Sequence, residues 1–168
     1  MRKIKISGIL FLVLSLINFF YTKQQINNTN IVSTNSKTVK VIRIVDGDTI
    51  EIETGEKVRL IGINTPETVD ARKSVECFGN EASNETTRLI LNKNITLEKD
   101  ISETDKYGRL LRYIYKDGEF INKTLVENGF AYATSYPPDI KYQHELTNAQ
   151  KDAKQKKAGL WSHCPIDK

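Results

Sequence analysis

The sequence has few residues of the kind that bind transition metals. It contains two cysteines, Cys77 and Cys164, and two histidines, His144 and His163. Their separations match no recognised metal-binding spacing, which argues against a zinc-type site built from them. One pair of cysteines fits a single disulfide in an oxidising compartment, and it also fits two unpaired thiols in a chain that folds without them.

The chain also lacks an excess of positive charge outside its first residues. Of its 25 lysines and arginines, four lie in the first 24 residues, which contain no acidic residue; these are Arg2, Lys3, Lys5 and Lys23. The rest of the chain therefore carries 21 basic against 21 acidic residues. The net charge of this part therefore gives no reason to expect binding to polyanions. Any recognition of phosphate must come from a few arginines and lysines at specific positions.

The chain has one long apolar run, at residues 6–21, which follows the basic residues 1–5. Sixteen residues is long for the apolar part of a signal peptide and short for a membrane span, which needs about 17–25. No clear small-x-small cleavage site follows it, and no cysteine near its end could take a lipid. We expect a cleaved signal peptide or, as the alternative, an uncleaved N-terminal anchor. A buried core helix is disfavoured because the run has no amphipathic face.

The composition divides the chain into four parts. We interpret residues 1–24 as the signal peptide or anchor, 25–37 as a polar linker, 38–164 as one folded domain and 165–168 as a tail. The domain would then be secreted, or held on the extracellular face of the membrane only through the N-terminal segment. No internal repeat is visible, and a monomer is expected.

Apolar and β-branched residues predict five strands and about three α-helices. The expected strands cover 38–45, 49–53, 57–63, 95–97 and 110–115, and the expected helices cover 74–92, 123–128 and a last helix from Leu146 to Leu160. We interpret Asn122 as the N-cap of the second helix, Gly129 as its stop and Trp161 as a core residue. Five short strands with an interposed helix fit a mainly β fold, a closed barrel of the OB type.

Two acids and an arginine lie at strand ends and in a turn, where a barrel would bring them to one mouth. Asp48 follows the Asp46-Gly47 turn, Arg59 lies in the third strand and Glu67 follows a Thr-Pro turn. Such a set suits a metal ion, a phosphate and a water molecule. The non-functional alternatives are that the arginine is a solvated residue at a strand edge and that the glutamate caps a turn. Asp46 is interpreted as a turn residue that bonds its own backbone.

Five motifs, in order, resemble the staphylococcal-nuclease family of thermonucleases. They are Val-Asp-Gly-Asp-Thr-Ile at 45–50, Arg-Leu-Ile-Gly-Ile-Asn-Thr-Pro-Glu at 59–67, Gly-Asn-Glu-Ala-Ser at 79–83, Thr-Asp-Lys-Tyr-Gly-Arg at 104–109 and Gly-Leu-Trp-Ser at 159–162. The resemblance covers residues 40–161, nearly the whole folded part. It implies a five-stranded OB barrel with three helices, Ca²⁺ dependence, and hydrolysis of DNA and RNA to 3′-phosphate and 5′-hydroxyl ends.

The resemblance also implies a role for each matching residue. It gives Arg59, Glu67 and Arg109 as catalytic, Asp48, Asn64 and the Thr65 carbonyl as Ca²⁺ ligands, Lys106 and Tyr107 as contacts to a nucleotide phosphate, and Tyr136 as a pocket wall. Asn64 departs from the best-known member, which carries aspartate there. Because Ca²⁺ affinity depends on the number of charged ligands, we expect weaker binding.

Two other functions remain as alternatives. The chain could be an inactive OB barrel that binds single-stranded nucleic acid, although such a module is expected to lack at least one of Arg59, Glu67 and Arg109. A surface-anchored structural domain is the third interpretation, and it rests only on the N-terminal segment.

Overall fold

The computed structural model describes residues 37–68 and 74–165. The expected signal peptide or anchor and most of the linker lie outside the described residues, as do the last three residues of the tail. Within the described part, no helix is both long and apolar enough to cross a membrane.

The described part contains eight strands and four helices. The strands are β1 Lys37–Asp46, β2 Thr49–Ile52, β3 Lys57–Leu60, β4 Ile63–Asn64, β5 Asn94–Glu98, β6 Leu110–Lys116, β7 Glu119–Phe120 and β8 Tyr132–Ala133. The helices are α1 Gly79–Ile90, α2 Ile121–Glu127, α3 Gln143–Gln155 and the single turn α4 Leu160–His163.

Five of these strands close into a barrel. Their order is β3-β2-β1-β5-β6, and a parallel pairing of β3 with β6 closes the ring. The other neighbours within the ring pair in antiparallel fashion. The short strands β4 and β8 form a second sheet, in which Asn64 lies opposite Tyr132. A closed mixed barrel with helices confirms the OB-type architecture predicted from the sequence.

The barrel interior is filled by the alternating apolar residues of its strands. Ile50 and Ile52 of β2, and Val58 and Leu60 of β3, have no exposed surface. These residues share one core cluster with α2 and with Leu146 of α3. Trp161 is buried in a smaller cluster with Leu160 and Ala153, which agrees with its expected place in a core.

Two helices are shorter than the sequence predicts. The first was expected from Ser74 but begins at Gly79, because Phe78 has a left-handed backbone with φ of 68°. The last was expected to continue to Leu160 but ends at Gln155. Lys157 has a positive φ of 52°, which breaks the helical path and separates α3 from α4.

Asn122 was wrongly interpreted as an N-cap. It lies inside α2, whose N-cap is Phe120, and it is fully buried. Its Oδ1 accepts from the Ile114 amide at 3.0 Å, and its Nδ2 donates to the Ile61 carbonyl at 2.9 Å. The side chain therefore joins α2 to the barrel instead of capping its own helix. Gly129, with φ of 73°, follows the end of α2 as predicted.

Candidate active site

One mouth of the barrel opens into a polar cavity of about 310 Å³. The side chains around it come from β1 to β4, from the turn between β1 and β2, and from the loops after β4, before β6 and after β8. The lining residues are Val45, Asp46, Asp48, Thr49, Lys57, Arg59, Asn64, Thr65, Glu67, Arg109 and Tyr136. This cavity, called the cleft below, brings together every residue expected at the site except Lys106 and Tyr107.

Asp48 is the central acid of the cleft. It lies between β1 and β2 and is 5% exposed. Its Oδ2 accepts from the Thr65 amide at 2.8 Å and lies 3.1 Å from Arg59 Nη2. Its Oδ1 accepts from the Thr49 hydroxyl at 3.1 Å. These partners fix the carboxylate in one orientation between β2 and the loop that follows β4.

Arg59 is a buried arginine between two apolar strand neighbours. Its Nη1 donates to the carbonyl of Leu60 at 2.6 Å, and its Nη2 donates to Asn64 Oδ1 at 3.0 Å. Together with Asp48, these contacts hold the guanidinium group rigidly at the cleft wall. Arg59 is only 5% exposed, which rules out the alternative considered from the sequence, a solvated arginine at a strand edge.

The oxygen atoms around Asp48 fit a hard cation. Arg59 Nη2 donates to Asn64 Oδ1 and lies 3.1 Å from Asp48 Oδ2. Asn64 Nδ2 donates to the Thr65 carbonyl at 3.3 Å, and the Thr65 amide donates to Asp48 Oδ2. The Thr65 hydroxyl is buried and has no hydrogen-bond partner in the described part of the chain. Ca²⁺ prefers such an all-oxygen set.

The set is poor in charge. No group of three or more histidine, cysteine, aspartate or glutamate side chains in the described ranges could hold a metal. If a cation bound here, Asp48 would supply the formal negative charge, and amide, carbonyl and water oxygens would have to complete its ligand shell.

Asp46 binds its own turn, as interpreted from the sequence. Its Oδ1 accepts from the Gly47 amide at 2.8 Å and from the Thr68 hydroxyl at 2.6 Å. Burial raises the pKa of Asp46 to about 6, opposed by the Thr68 hydroxyl and assisted by a hydrogen bond with Glu67. Asp46 thus lines the cleft, but its carboxylate is hydrogen-bonded to its own turn and to the loop that carries Glu67.

Glu67 lies in the loop after β4, directly behind Pro66, and is half-buried. Its Oε1 accepts from the Thr68 amide at 3.1 Å, and its own amide donates to Glu76 Oε2 at 3.1 Å. The residue therefore reaches the cleft from a loop whose backbone is bonded to a segment further along the chain.

Arg109 enters the cleft from the loop before β6. Its Nε donates to Asp105 Oδ2 at 2.7 Å, and its Nη1 donates to the Thr49 hydroxyl at 3.3 Å. Asp105 Oδ1 also accepts from the amides of Tyr107 and Arg109. Burial opposes ionisation of Asp105, but the hydrogen bonds from Arg109 and Tyr107 outweigh it and leave its pKa below the usual value.

Lys106 and Tyr107 lie beside the cleft and do not line it. Tyr107 is 73% exposed, and its ring centroid lies 5.0 Å from Lys106 Nζ and 5.5 Å from Arg109 Cζ. Tyr136 does line the cleft, from a loop that contains a cis Pro137–Pro138 bond. The proposed substrate contacts of all three residues stay predictions.

The comparisons with known proteins agree with this geometry. A family model described as staphylococcal nuclease homologue matches residues 57–163. The chain belongs to the staphylococcal nuclease family. It is 37% identical to a thermonuclease of Staphylococcus hyicus over 97% of this chain and 100% of that protein. It is 38% identical to a thermonuclease of Staphylococcus intermedius, over 96% of this chain and 99% of that protein. The resemblance read from the five motifs is confirmed.

A third relative matches a shorter stretch of the chain. Endonuclease YncB of Bacillus subtilis (strain 168) is 38% identical over 129 residues, which is 74% of this chain and 61% of that protein.

The sequence did not indicate two residues, Lys57 in the lining of the cleft and Asp105, which holds the cleft residue Arg109. Lys57 begins β3 and is exposed at the cleft edge, and its position two residues before Arg59, on the same strand face, was the signal that could have indicated it. Asp105 lies inside a motif that carries the resemblance, but its role in holding Arg109 depends on a hydrogen bond that sequence does not display.

Cys77 and Cys164 form a disulfide, with their sulfur atoms 2.12 Å apart and the two residues 87 positions apart in sequence. Cys77 lies two residues before α1, and Cys164 directly follows α4. The bond therefore attaches the start of α1 to the C-terminal end of the described chain.

Proposed function

We propose that this chain is a Ca²⁺-dependent nuclease that hydrolyses phosphodiester bonds in both DNA and RNA. The observation that carries the proposal is the cleft, which combines two fixed guanidinium groups, a glutamate and an all-oxygen ligand set. The names of the relatives, thermonuclease and endonuclease, support the same reaction class.

The two arginines would neutralise the negative charge of the substrate. A phosphodiester is an anion that repels a nucleophile, and charge builds on its non-bridging oxygens as a fifth ligand arrives. Arg109 can donate two N–H groups to a pair of phosphate oxygens, which lysine cannot do with the same geometry. Arg59 already donates through both Nη atoms to protein acceptors, so it acts on the phosphate mainly through its positive charge. Because both guanidinium groups are held by protein partners, little reorganisation is needed when the transition state forms.

Asp48, Asn64 and the Thr65 carbonyl would hold the Ca²⁺ ion. When bound there, the ion supplies further positive charge to the phosphate oxygens. Asp48 brings the charge of the ligand set, while Asn64 contributes a neutral oxygen. We therefore expect an affinity below that of a site with two carboxylates.

Glu67 orients a water molecule and accepts a proton from it. The water oxygen forms a bond to phosphorus as the bond to the 5′ oxygen breaks, and a proton from solvent passes to that oxygen. The products are a 3′-phosphate and a 5′-hydroxyl. Lys106 and Tyr107 would contact a phosphate of the bound strand beside the cleft, and Tyr136 would form its wall.

The site of action proposed here is outside the cell. The disulfide between Cys77 and Cys164 supports an oxidising compartment, because such bonds are rare in the cytosol. The N-terminal segment would then serve export, with the protein secreted or retained on the outer face of the membrane. A monomer is proposed, with DNA and RNA as its partners.

A cleavage assay on DNA and RNA tests the proposal. We expect the purified chain to degrade both substrates with Ca²⁺, to stop when EGTA is added and to resume with excess Ca²⁺. Polynucleotide kinase should label the 5′ ends of the products without prior phosphatase treatment. A chain that binds single strands but never cuts them at any Ca²⁺ concentration would instead be the inactive OB-type module.

A further inference from the structure

The backbone of Glu67 is held from two sides by one other residue. The Glu76 amide donates to the Glu67 carbonyl at 2.9 Å, and the Glu67 amide donates to Glu76 Oε2 at 3.1 Å. Both polar backbone groups of the proposed water-orienting residue are thus bonded to Glu76. A charged acceptor makes the second bond stronger than a neutral one would.

The loop that carries Glu67 also rests directly on the first residue of α1. A Cβ atom on Gly79 would lie 3.1 Å from the Glu67 carbonyl oxygen, 3.2 Å from that of Pro66 and 2.9 Å from Thr68 Cγ2. Only glycine allows this approach without a shift of the loop. Residues 76–79 therefore form a support beneath the loop, here called the support segment.

The support segment is attached to a distant part of the chain. Cys77 is bonded to Cys164, and the ring of Phe78 packs against Phe130 and His163 with centroids 5.5 and 5.4 Å apart. Glu76 and Cys77 are themselves exposed, so few apolar contacts hold this end of the segment. Segments with few buried contacts open locally at low cost, and a covalent bond opposes this.

We propose that Glu76 is a positioning residue for Glu67, and that the Cys77–Cys164 disulfide keeps Glu76 in place. A dithiol reductant that converts the bond to two thiols, and is itself oxidised to a disulfide, then lowers nuclease turnover in a protein that stays folded. The proposal rests on the proposed function, because it takes Glu67 as the residue that acts on water. A displacement of 1 Å at a reacting group can cost about 100-fold in rate, so a small loosening is sufficient.

A purely structural disulfide would behave differently. It would raise the free energy of unfolding without changing the turnover of molecules that remain folded. Its loss would also increase amide exchange across the domain and not selectively at the loop. The tests therefore compare the loop with the barrel, and turnover with stability.

Amide exchange tests the geometry without any activity measurement. NMR exchange rates of the Glu67 and Glu76 amides are compared between the parent and the Cys77→Ser/Cys164→Ser double variant. The Ile114 amide, which donates to buried Asn122 inside the barrel, is the reference. We expect exchange at Glu67 and Glu76 to increase at least tenfold more than exchange at Ile114, which reports the change in global stability. Unchanged exchange at Glu67, or an equal increase at Ile114, overturns the proposal.

Turnover on DNA tests the consequence. Glu76→Ala should lower kcat about tenfold or more and leave KM within about twofold, since it misplaces Glu67 and not the phosphate contacts. Glu76→Gln should stay near the parent, because its amide oxygen can still accept from Glu67. Glu127→Ala, which removes an exposed glutamate of α2 outside the cleft, is the matched control. Parent-level kcat in Glu76→Ala refutes the positioning role.

Reduction links the two parts. Dithiothreitol should lower kcat in the parent and leave the double cysteine variant unchanged. In that variant Glu76→Ala should cost less than in the parent, because both changes release the same loop. A parent that never cleaves DNA refutes the proposed function and the positioning role with it. A cleaving parent that is insensitive to reduction refutes only the role of the disulfide.

Discussion

Arg59 forms a buried ion pair with Asp48, with 3.1 Å between Nη2 and Oδ2. The same nitrogen donates to Asn64 Oδ1. The arginine proposed to bind the phosphate therefore contacts two residues proposed to bind Ca²⁺. Its positive charge pre-orients these oxygens, and it also opposes the arrival of a dication among them.

Arg59→Gln should separate these two effects. We expect turnover to fall about 100- to 1,000-fold, as for the loss of one transition-state charge contact. We also expect Ca²⁺ to bind more tightly, because a competing cation next to Asp48 is gone. Calorimetric titration with Ca²⁺ and cleavage at saturating Ca²⁺ measure the two quantities.

The Arg59 variant needs a stability check, because removing one partner of a buried ion pair costs about 3–5 kcal/mol. Circular dichroism at the assay temperature establishes that the variant is folded. Weaker Ca²⁺ binding in a folded Arg59→Gln protein would contradict the competition between the arginine and the ion.

Arg109→Ala tests the second guanidinium group. We expect a loss of about 100- to 1,000-fold in kcat at saturating Ca²⁺, with little change in thermal unfolding, because Arg109 is half-buried on a loop. Arg88→Ala is the matched control, since Arg88 is exposed on α1 and pairs with Glu85 away from the cleft. Parent-level cleavage by folded Arg109→Ala would show that the site assignment is wrong.

Asn64→Asp tests the metal ligands. The substitution adds a second negative charge beside Asp48, so the Ca²⁺ midpoint for DNA cleavage should fall while the saturating rate changes less. Without Ca²⁺, repulsion between the two carboxylates should make the protein slightly less stable. Activity titrations against Ca²⁺ for both proteins give the midpoints. An unchanged or higher midpoint would mean that residue 64 does not contact the ion.

Asn122→Ala should destabilise the fold without touching the cleft. It leaves the Ile114 amide and the Ile61 carbonyl buried and unpaired, at about 1–3 kcal/mol for each group. Urea unfolding measures the change. Asn128→Ala is the control, because Asn128 is exposed just after α2 and its side chain donates to the Thr124 carbonyl of that helix. Equal losses in both variants would contradict the structural role assigned to Asn122.

The sequence predicted the barrel well because its strands alternate apolar and polar residues, as Ile50 and Ile52 show. It failed where one residue type has two common uses. Asparagine is common at N-caps, yet Asn122 accepts a hydrogen bond from an amide of the barrel. Only the tertiary structure distinguishes these two roles. The break after α3 was missed because Lys157, with φ of 52°, is an ordinary helix former in sequence.

The site was predictable where charge occurs in an apolar context. Arg59 stood out because strand neighbours on both sides are apolar. Glu76 did not, because its contacts are with backbone groups nine positions away, and backbone groups carry no sequence signal. Lys57 was missed because a lysine that starts a strand is usually solvated.

Lys57 should bind a substrate phosphate next to the one that is cleaved. It is exposed at the cleft edge, and its cross-strand neighbour is Glu51. The Glu51 carboxylate accepts from Arg43 Nε at 2.9 Å, and no ion pair to Lys57 is found within 37–68 and 74–165. Its ammonium group is thus available to an incoming phosphate.

Lys57→Gln should therefore raise KM for DNA at moderate salt and leave kcat unchanged. Each lost phosphate contact reduces the magnitude of the slope of log affinity against log salt concentration by about 0.7–0.9. KM measured between about 50 and 200 mM salt should therefore depend less on salt in the variant, by the amount expected for one lost contact. Lys151→Gln removes an exposed lysine of α3 that does not line the cleft, and it should keep the parent slope. A parent slope in Lys57→Gln would mean that this lysine stays in solvent when DNA binds.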